Sequence, residues 1–107
     1  MAAQLHHVAL TSAHFEQTVR FYKEVFRMEV DRMAGQAPER KLWFREGIQI
    51  NEVSVECSGN GQWDHMGMKV TDKQQLLERA FAAGCTLAPG KKDWIVTPDG
   101  VVIELMA

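Results

Sequence analysis

Four polar side chains stand inside stretches that otherwise read as apolar strand. His7 lies in Leu5-His6-His7-Val8-Ala9-Leu10-Thr11, and His65 in Asp64-His65-Met66-Gly67-Met68-Lys69-Val70. Gln49 sits in Ile48-Gln49-Ile50, and Glu104 in Val101-Val102-Ile103-Glu104-Leu105-Met106. A carboxylate within such a strand is costly to bury unless it is paired, protonated or bound to a cation. Two imidazoles, a carboxylate and an amide oxygen form a sensible N/O donor set for a divalent metal ion: imidazole suits Zn, Ni, Fe and Co, and oxygen donors suit the harder Mn and Mg. Two His and one carboxylate also match the facial triad of Fe(II) oxygenases. Asn51, two residues beyond Gln49, faces the same side of a strand and is the alternative fourth ligand. His6 points the opposite way from His7 and His14 falls in a first helical turn, so both read as surface or packing residues.

A lone strand histidine is ordinarily a hydrogen-bonded structural residue, and a lone buried glutamate is ordinarily salt-bridged. What separates these four from that reading is an internal repeat. His7-Val8-Ala9-Leu10 matches His65-Met66-Gly67-Met68, Trp43-Phe44 matches Trp94-Ile95, and Ile48-Gln49-Ile50 matches Ile103-Glu104-Leu105. The four polar residues occupy equivalent places in the two copies.

The elements that must position them follow the same order twice. A strand over 5–11 precedes a helix over 13–27, with Phe15, Val19, Tyr22 and Phe26 at helical spacing and Ser12 as its N-cap. Strands are predicted over 29–33, 41–45 and 48–55. Ser58-Gly59-Asn60-Gly61 forms a polar break. The second copy begins with a strand over 64–70, and Thr71-Asp72-Lys73-Gln74 fits a capping box. Its helix carries Leu76, Leu77, Ala80 and Phe81, and Gly84 is a natural C′ residue. Strands follow over 86–88, 93–97 and 101–106. The expected class is α+β: two βαβββ modules, about residues 1–57 and 62–107, within one domain. A unit of about 50 residues hardly builds its own core, so the copies are expected to pair about a pseudo-two-fold axis.

Composition narrows the function classes. The 107 residues are 46% apolar and carry a formal net charge of −2, which argues against disorder. Both halves are slightly acidic, so no basic face points to nucleic acid. No apolar run approaches a membrane span, and the N-terminus lacks the pattern of a signal peptide. Two cysteines, Cys57 and Cys85, without a Cys-x-x-Cys pairing suit a reducing cytoplasm. Short modules leave sheet edges that a second chain would cover, so a homodimer is expected.

Taken together, these motifs resemble the vicinal oxygen chelate superfamily, which includes glyoxalase I, methylmalonyl-CoA epimerase, fosfomycin-resistance proteins, extradiol dioxygenases and bleomycin-resistance proteins. The resemblance covers nearly the whole chain and rests on the opening strand with His7, Phe21-Tyr22 in the first helix, His65 opening the second module, and Pro98-Asp99-Gly100 leading to Glu104. It implies that the two modules form a half-open mixed-sheet cup, the glyoxalase-like fold. It also implies a divalent metal ion (Ni, Zn, Mn, Co or Fe) held by His7, Gln49, His65 and Glu104, within one chain or across swapped halves. The chain departs from the family pattern at His14, where an acidic residue is common, and at Phe26-Arg27, where Leu-Gly is usual. It also lacks long insertions for glutathione or CoA.

The resemblance implies a metal-dependent isomerase, epimerase or lyase acting on a small oxygenated metabolite chelated through adjacent oxygens, with Glu104 as the catalytic base. The alternatives are a non-catalytic small-molecule or antibiotic-binding protein of the same fold, and an Fe(II) dioxygenase. Glu52, by alternation on the face opposite Gln49, reads as surface or structural. Trp43 and Trp94 read as sheet core or edge packing, with pocket lining as the alternative. Lys91-Lys92 reads as a solvated turn, with a hold on a substrate carboxylate or phosphate as the alternative, and Arg40-Lys41 reads the same way.

Overall fold

In a computed structural model, residues 3–54 and 62–107 are described; the polar break at 58–61 lies outside them. The eight strands and two helices run β1 (Gln4–Ser12), α1 (Phe15–Val25), β2 (Val30–Ala34), β3 (Lys41–Phe44), β4 (Ile48–Glu52), β5 (Trp63–Lys69), α2 (Lys73–Ala82), β6 (Thr86–Leu87), β7 (Trp94–Val96) and β8 (Val102–Met106). This is the βαβββ order twice. The chain divides into two compact units, His7–Asp64 and Met1–His6 with His65–Ala107. Among the described residues no helix is long and apolar enough to cross a membrane.

In the His7–Asp64 unit the strand order is β2-β3-β4-β1. β1 lies parallel to β4, while β2, β3 and β4 form an antiparallel meander. Strand residues alternate between two faces. Leu42, Phe44 and Ile50 take the face that meets Phe15 of α1, and they form the core with Val19 and Tyr22 packed against it. Phe26, expected on that apolar stripe, is instead 58% exposed, because the helix ends at Val25 and Phe26 is already its C-cap. Ser12 is not the N-cap. That position belongs to His14, whose side chain makes no capping bond. Ser12 lies two residues earlier, fully buried, where its Oγ accepts from the His14 N–H and bonds Thr18 Oγ1.

The other unit repeats the plan with strand order β5-β8-β7-β6. β5 is parallel to β8, and β8-β7-β6 is antiparallel. Val70, Ile95 and Leu105 form its core, with Leu76, Leu77 and Ala80 of α2 against it. The capping box is displaced by one residue: Asp72 is the N-cap, its Oδ1 accepting from the Gln75 N–H at 3.0 Å. A carboxylate in that place also complements the positive end of the helix dipole. The helix closes in a Schellman motif, with Cys85 N–H bonded to Ala80 O and Gly84 N–H to Phe81 O. Gly84 takes the left-handed conformation this requires, at φ 98. The equivalent place after α1 is held by Arg27 at φ 59, a conformation that costs a non-glycine residue about 1 kcal/mol.

On the helix side of the first unit, Glu52 is structural. Its carboxylate accepts from Arg40 Nε at 2.8 Å and Arg40 Nη2 at 2.9 Å, and from the Arg40 backbone N–H at 3.1 Å. Arg40 also lies over the Phe15 ring, 4.6 Å from its centroid. It is therefore a fixed, half-buried cation and not a solvated turn residue. The Arg40 hydrogen bonds hold the Glu52 carboxyl below its ordinary value of 4.5. A depressed carboxylate stabilises the fold above its unfolded pKa and loses that contribution as pH falls through the folded value. Glu52→Gln is expected to cost about 1–2 kcal/mol at pH 7, after allowance for partial exposure. The gap between wild type and Glu52→Gln should close on acidification below about pH 4.5. Urea melts of both proteins across that range check this; a gap that stays constant would contradict it.

Candidate metal centre

The polar residues singled out from the sequence lie on the sheet faces turned away from the two helices. In the His65–Ala107 part of its unit, β5 carries His65 and, two residues on, Gly67; both are buried. Gly67 is in parallel register with Glu104 of β8, and Glu104 is cross-strand from Trp94 of β7. His65 Nε2 lies 3.3 Å from Glu104 Oε1. The His65 and Trp94 rings pack at 4.4 Å between centroids, tilted by 49°. His65 is 4% exposed, while the Glu104 side chain keeps 28% of its surface.

The His7–Asp64 unit presents the same pattern. β1 carries His7 and, two residues on, Ala9; both are buried. Ala9 is in parallel register with Gln49 of β4, and Gln49 is cross-strand from Trp43 of β3. Gln49 Nε2 donates to Asn51 Oδ1 at 2.7 Å. That bond fixes the amide orientation and leaves Gln49 Oε1, the group with affinity for a cation, uncommitted to Asn51. Asn51 thus orients Gln49, and its own oxygen is occupied. His6 and His14 are exposed, as expected of residues outside the site.

The donor chemistry fits a divalent ion. A separation of 3.3 Å between His65 Nε2 and Glu104 Oε1 is close to the edge of a coordination tetrahedron with bonds of about 2.1 Å. Small residues, Gly67 and Ala9, stand opposite the carboxylate and the amide. A cleft of about 540 Å³ lies elsewhere in the His7–Asp64 unit: it opens between α1 and the meander, over Phe15, Val19, Met33 and Leu42.

Two features differ from the leading sequence reading of core or edge packing and solvated turns. Trp43 and Trp94 belong to neither apolar core; they stand half-buried on the polar face, beside Gln49 and Glu104. Each also carries a cation on its ring, Arg32 at 3.9 Å and Lys91 at 4.8 Å from the centroids. Lys91 is thus not simply a solvated turn residue. The matching of Trp43 with Trp94 in the repeat was the available signal.

No family model and no curated protein matches the chain. Solved structures do. A hypothetical protein, BH1468 from Bacillus halodurans C-125, superposes with a TM-score of 0.72 at 15% identity, over 98% of this chain and 94% of that one. Methylmalonyl-CoA epimerase from Mycobacterium tuberculosis gives 0.70 at 20% identity, over 95% and 85%. The 2,3-dioxygenase LapB from Pseudomonas sp. KL28 gives 0.68 at 20% identity, over 97% of this chain but 40% of that one. The chain has the fold these proteins share, a glyoxalase-like fold.

Proposed function

We propose that His7, His65 and Glu104, together with Gln49, hold one divalent metal ion, and that the protein is a metal-dependent enzyme of the glyoxalase type. The reaction would be an isomerisation, epimerisation or elimination on a small metabolite bound through two adjacent oxygens. The observation that carries this reading is the equivalence of the two units. In each, a buried histidine stands two residues before a small residue, which faces an oxygen donor on the last strand. Two independent structural histidines would have no reason to share that arrangement.

When bound, such an ion supplies Lewis acidity that acidifies the carbon beside the chelated oxygens. Glu104 is the group that moves the proton. It is the carboxylate on this face beside His65, and its partial exposure leaves room to approach substrate. His65, packed on Trp94, stays fixed while Glu104 acts. Gln49, pinned by Asn51, supplies a neutral oxygen. A neutral fourth ligand fills a position that oxygen activation needs open, which favours the enzyme reading over an Fe(II) dioxygenase. We further propose that the protein works in the cytoplasm as a homodimer.

Elemental analysis of the purified, untagged protein, after loading with Ni, Mn, Zn, Co or Fe(II), tests the proposal. One ion per chain is expected, followed by turnover in a screen of 2-oxoaldehyde, 2-hydroxy-acid and epoxide substrates. Binding of none of these ions would overturn the metal site. A bound ion with tight ligand binding but no turnover would favour the non-catalytic, sequestering reading of the same fold.

A further inference from the structure

The two tryptophans and their cations extend the equivalence beyond the proposed ligands. In one unit a row crosses the strands as Arg32, Trp43, Gln49 and Ala9, each in register with the next. In the other, Trp94, Glu104 and Gly67 form the same row, with Lys91 of the loop before β7 on the outer side of it. Cross-strand partners share a sheet face, so a cation-bearing tryptophan stands next to the oxygen ligand in each unit.

Apart from its tryptophan, neither cation has a charged partner among the described residues. Arg40 and Lys73 are committed to Glu52 and Asp93, but among the described residues neither Arg32 nor Lys91 has a carboxylate within ion-pair distance. Stacking on an indole restrains a long, mobile side chain. It leaves the edge N–H groups of a guanidinium and the remaining N–H groups of an ammonium open to a ligand. A cation held on a tryptophan that neighbours a proposed metal ligand, yet without an anion, is suited to bind one. Carboxylate matches both partners, as a bidentate acceptor for Arg32 and a point charge for Lys91.

We infer that the substrate is a carboxylate metabolite. Its anionic group, separate from the two chelating oxygens, is held by Lys91 on Trp94 or by Arg32 on Trp43. This rests on the metal reading above and deepens it by naming the substrate class. It makes Lys91 and Arg32 specificity-determining residues, with no part in the proton transfer.

Binding, not turnover, tests the inference. Malate and 2-oxoglutarate are titrated calorimetrically against the Zn-loaded and the metal-free protein, each beside the analogue bearing a methyl group in place of the distal carboxylate. The charged probe of at least one pair is expected to bind the Zn-loaded protein roughly tenfold or more tightly than its analogue, as one hydrogen-bonded ion pair implies. Lys91→Met or Arg32→Met should abolish that preference, with Zn affinity unchanged. Lys91→Arg should retain it, and Lys92→Met, which removes an adjacent charge, should leave it intact. No preference for the charged probes would overturn the inference, as would equal losses in Lys92→Met and Lys91→Met. A protein that binds no Zn but keeps a Lys91-dependent preference would sink the metal reading alone.

Discussion

Glu104→Ala is expected to weaken divalent-metal binding by more than about 100-fold, since even an outer partner of a ligand is worth about 10–100-fold. The substitution removes the one anionic donor of the proposed set and also the neighbour 3.3 Å from His65 Nε2. The fold should survive it. Glu104 is only half-buried and belongs to neither apolar core, and shortening it removes a charge that the strand must otherwise accommodate. His65→Ala and His7→Ala should act in the same direction. Gln49→Ala should do less, because it removes a neutral donor. Competition against a chromophoric chelator, with circular dichroism as the check on folding, measures all four. Metal retained at parental affinity in the Glu104, His65 and His7 variants would refute the assignment.

Ile50→Ala should cost about 2–5 kcal/mol of stability. Ile50 is fully buried among Phe15, Leu42 and Phe44, on a central strand paired on both sides. Neighbours on two hydrogen-bonded strands cannot close the void without disturbing both ladders, so the lost transfer energy and the cavity term add. Urea unfolding with an unchanged m value would report the loss cleanly. A change below about 1 kcal/mol would mean that the unit repacks around the site far more readily than interiors of this density do.

The elements were legible because period and punctuation agree. Alternation in Ile48-Gln49-Ile50-Asn51-Glu52 places Gln49 and Glu52 on opposite faces from the sequence alone, and the structure puts Glu52 on the helix side with Arg40. Helix starts were less legible. Ser12 and Thr71 carry the right chemistry, but neighbouring residues, His14 and Asp72, hold the cap positions. Local propensity does not resolve a shift of one or two residues. Phe26 shows a different gap: helical spacing continues through it, but nothing local announces that the helix stops at Val25. The pairing of Arg40 with Glu52, and of Arg32 and Lys91 with their tryptophans, joins residues whose side-chain directions only the folded strands fix. The repeat hinted that Trp43 and Trp94 were equivalent; which face they took depended on register.

The parallel pairing of first and last strands sets the order in which each module can assemble. Val8 must find Ile48, and Met66 must find Ile103, across all the intervening chain. The meanders β2-β3-β4 and β6-β7-β8 are local and close quickly. The opening strands wait, unpaired on that side, until the last strand of their own module is in place. Loop closure must be met before those contacts return anything, so this pairing is the expected slow step. Because His7 and His65 sit on the waiting strands, and Gln49 and Glu104 on the strands they wait for, the donors are brought together only in the slow step. If the proposed site holds a metal ion, a partly folded module would offer isolated donors and no chelate, and metal acquisition would wait for the finished sheet.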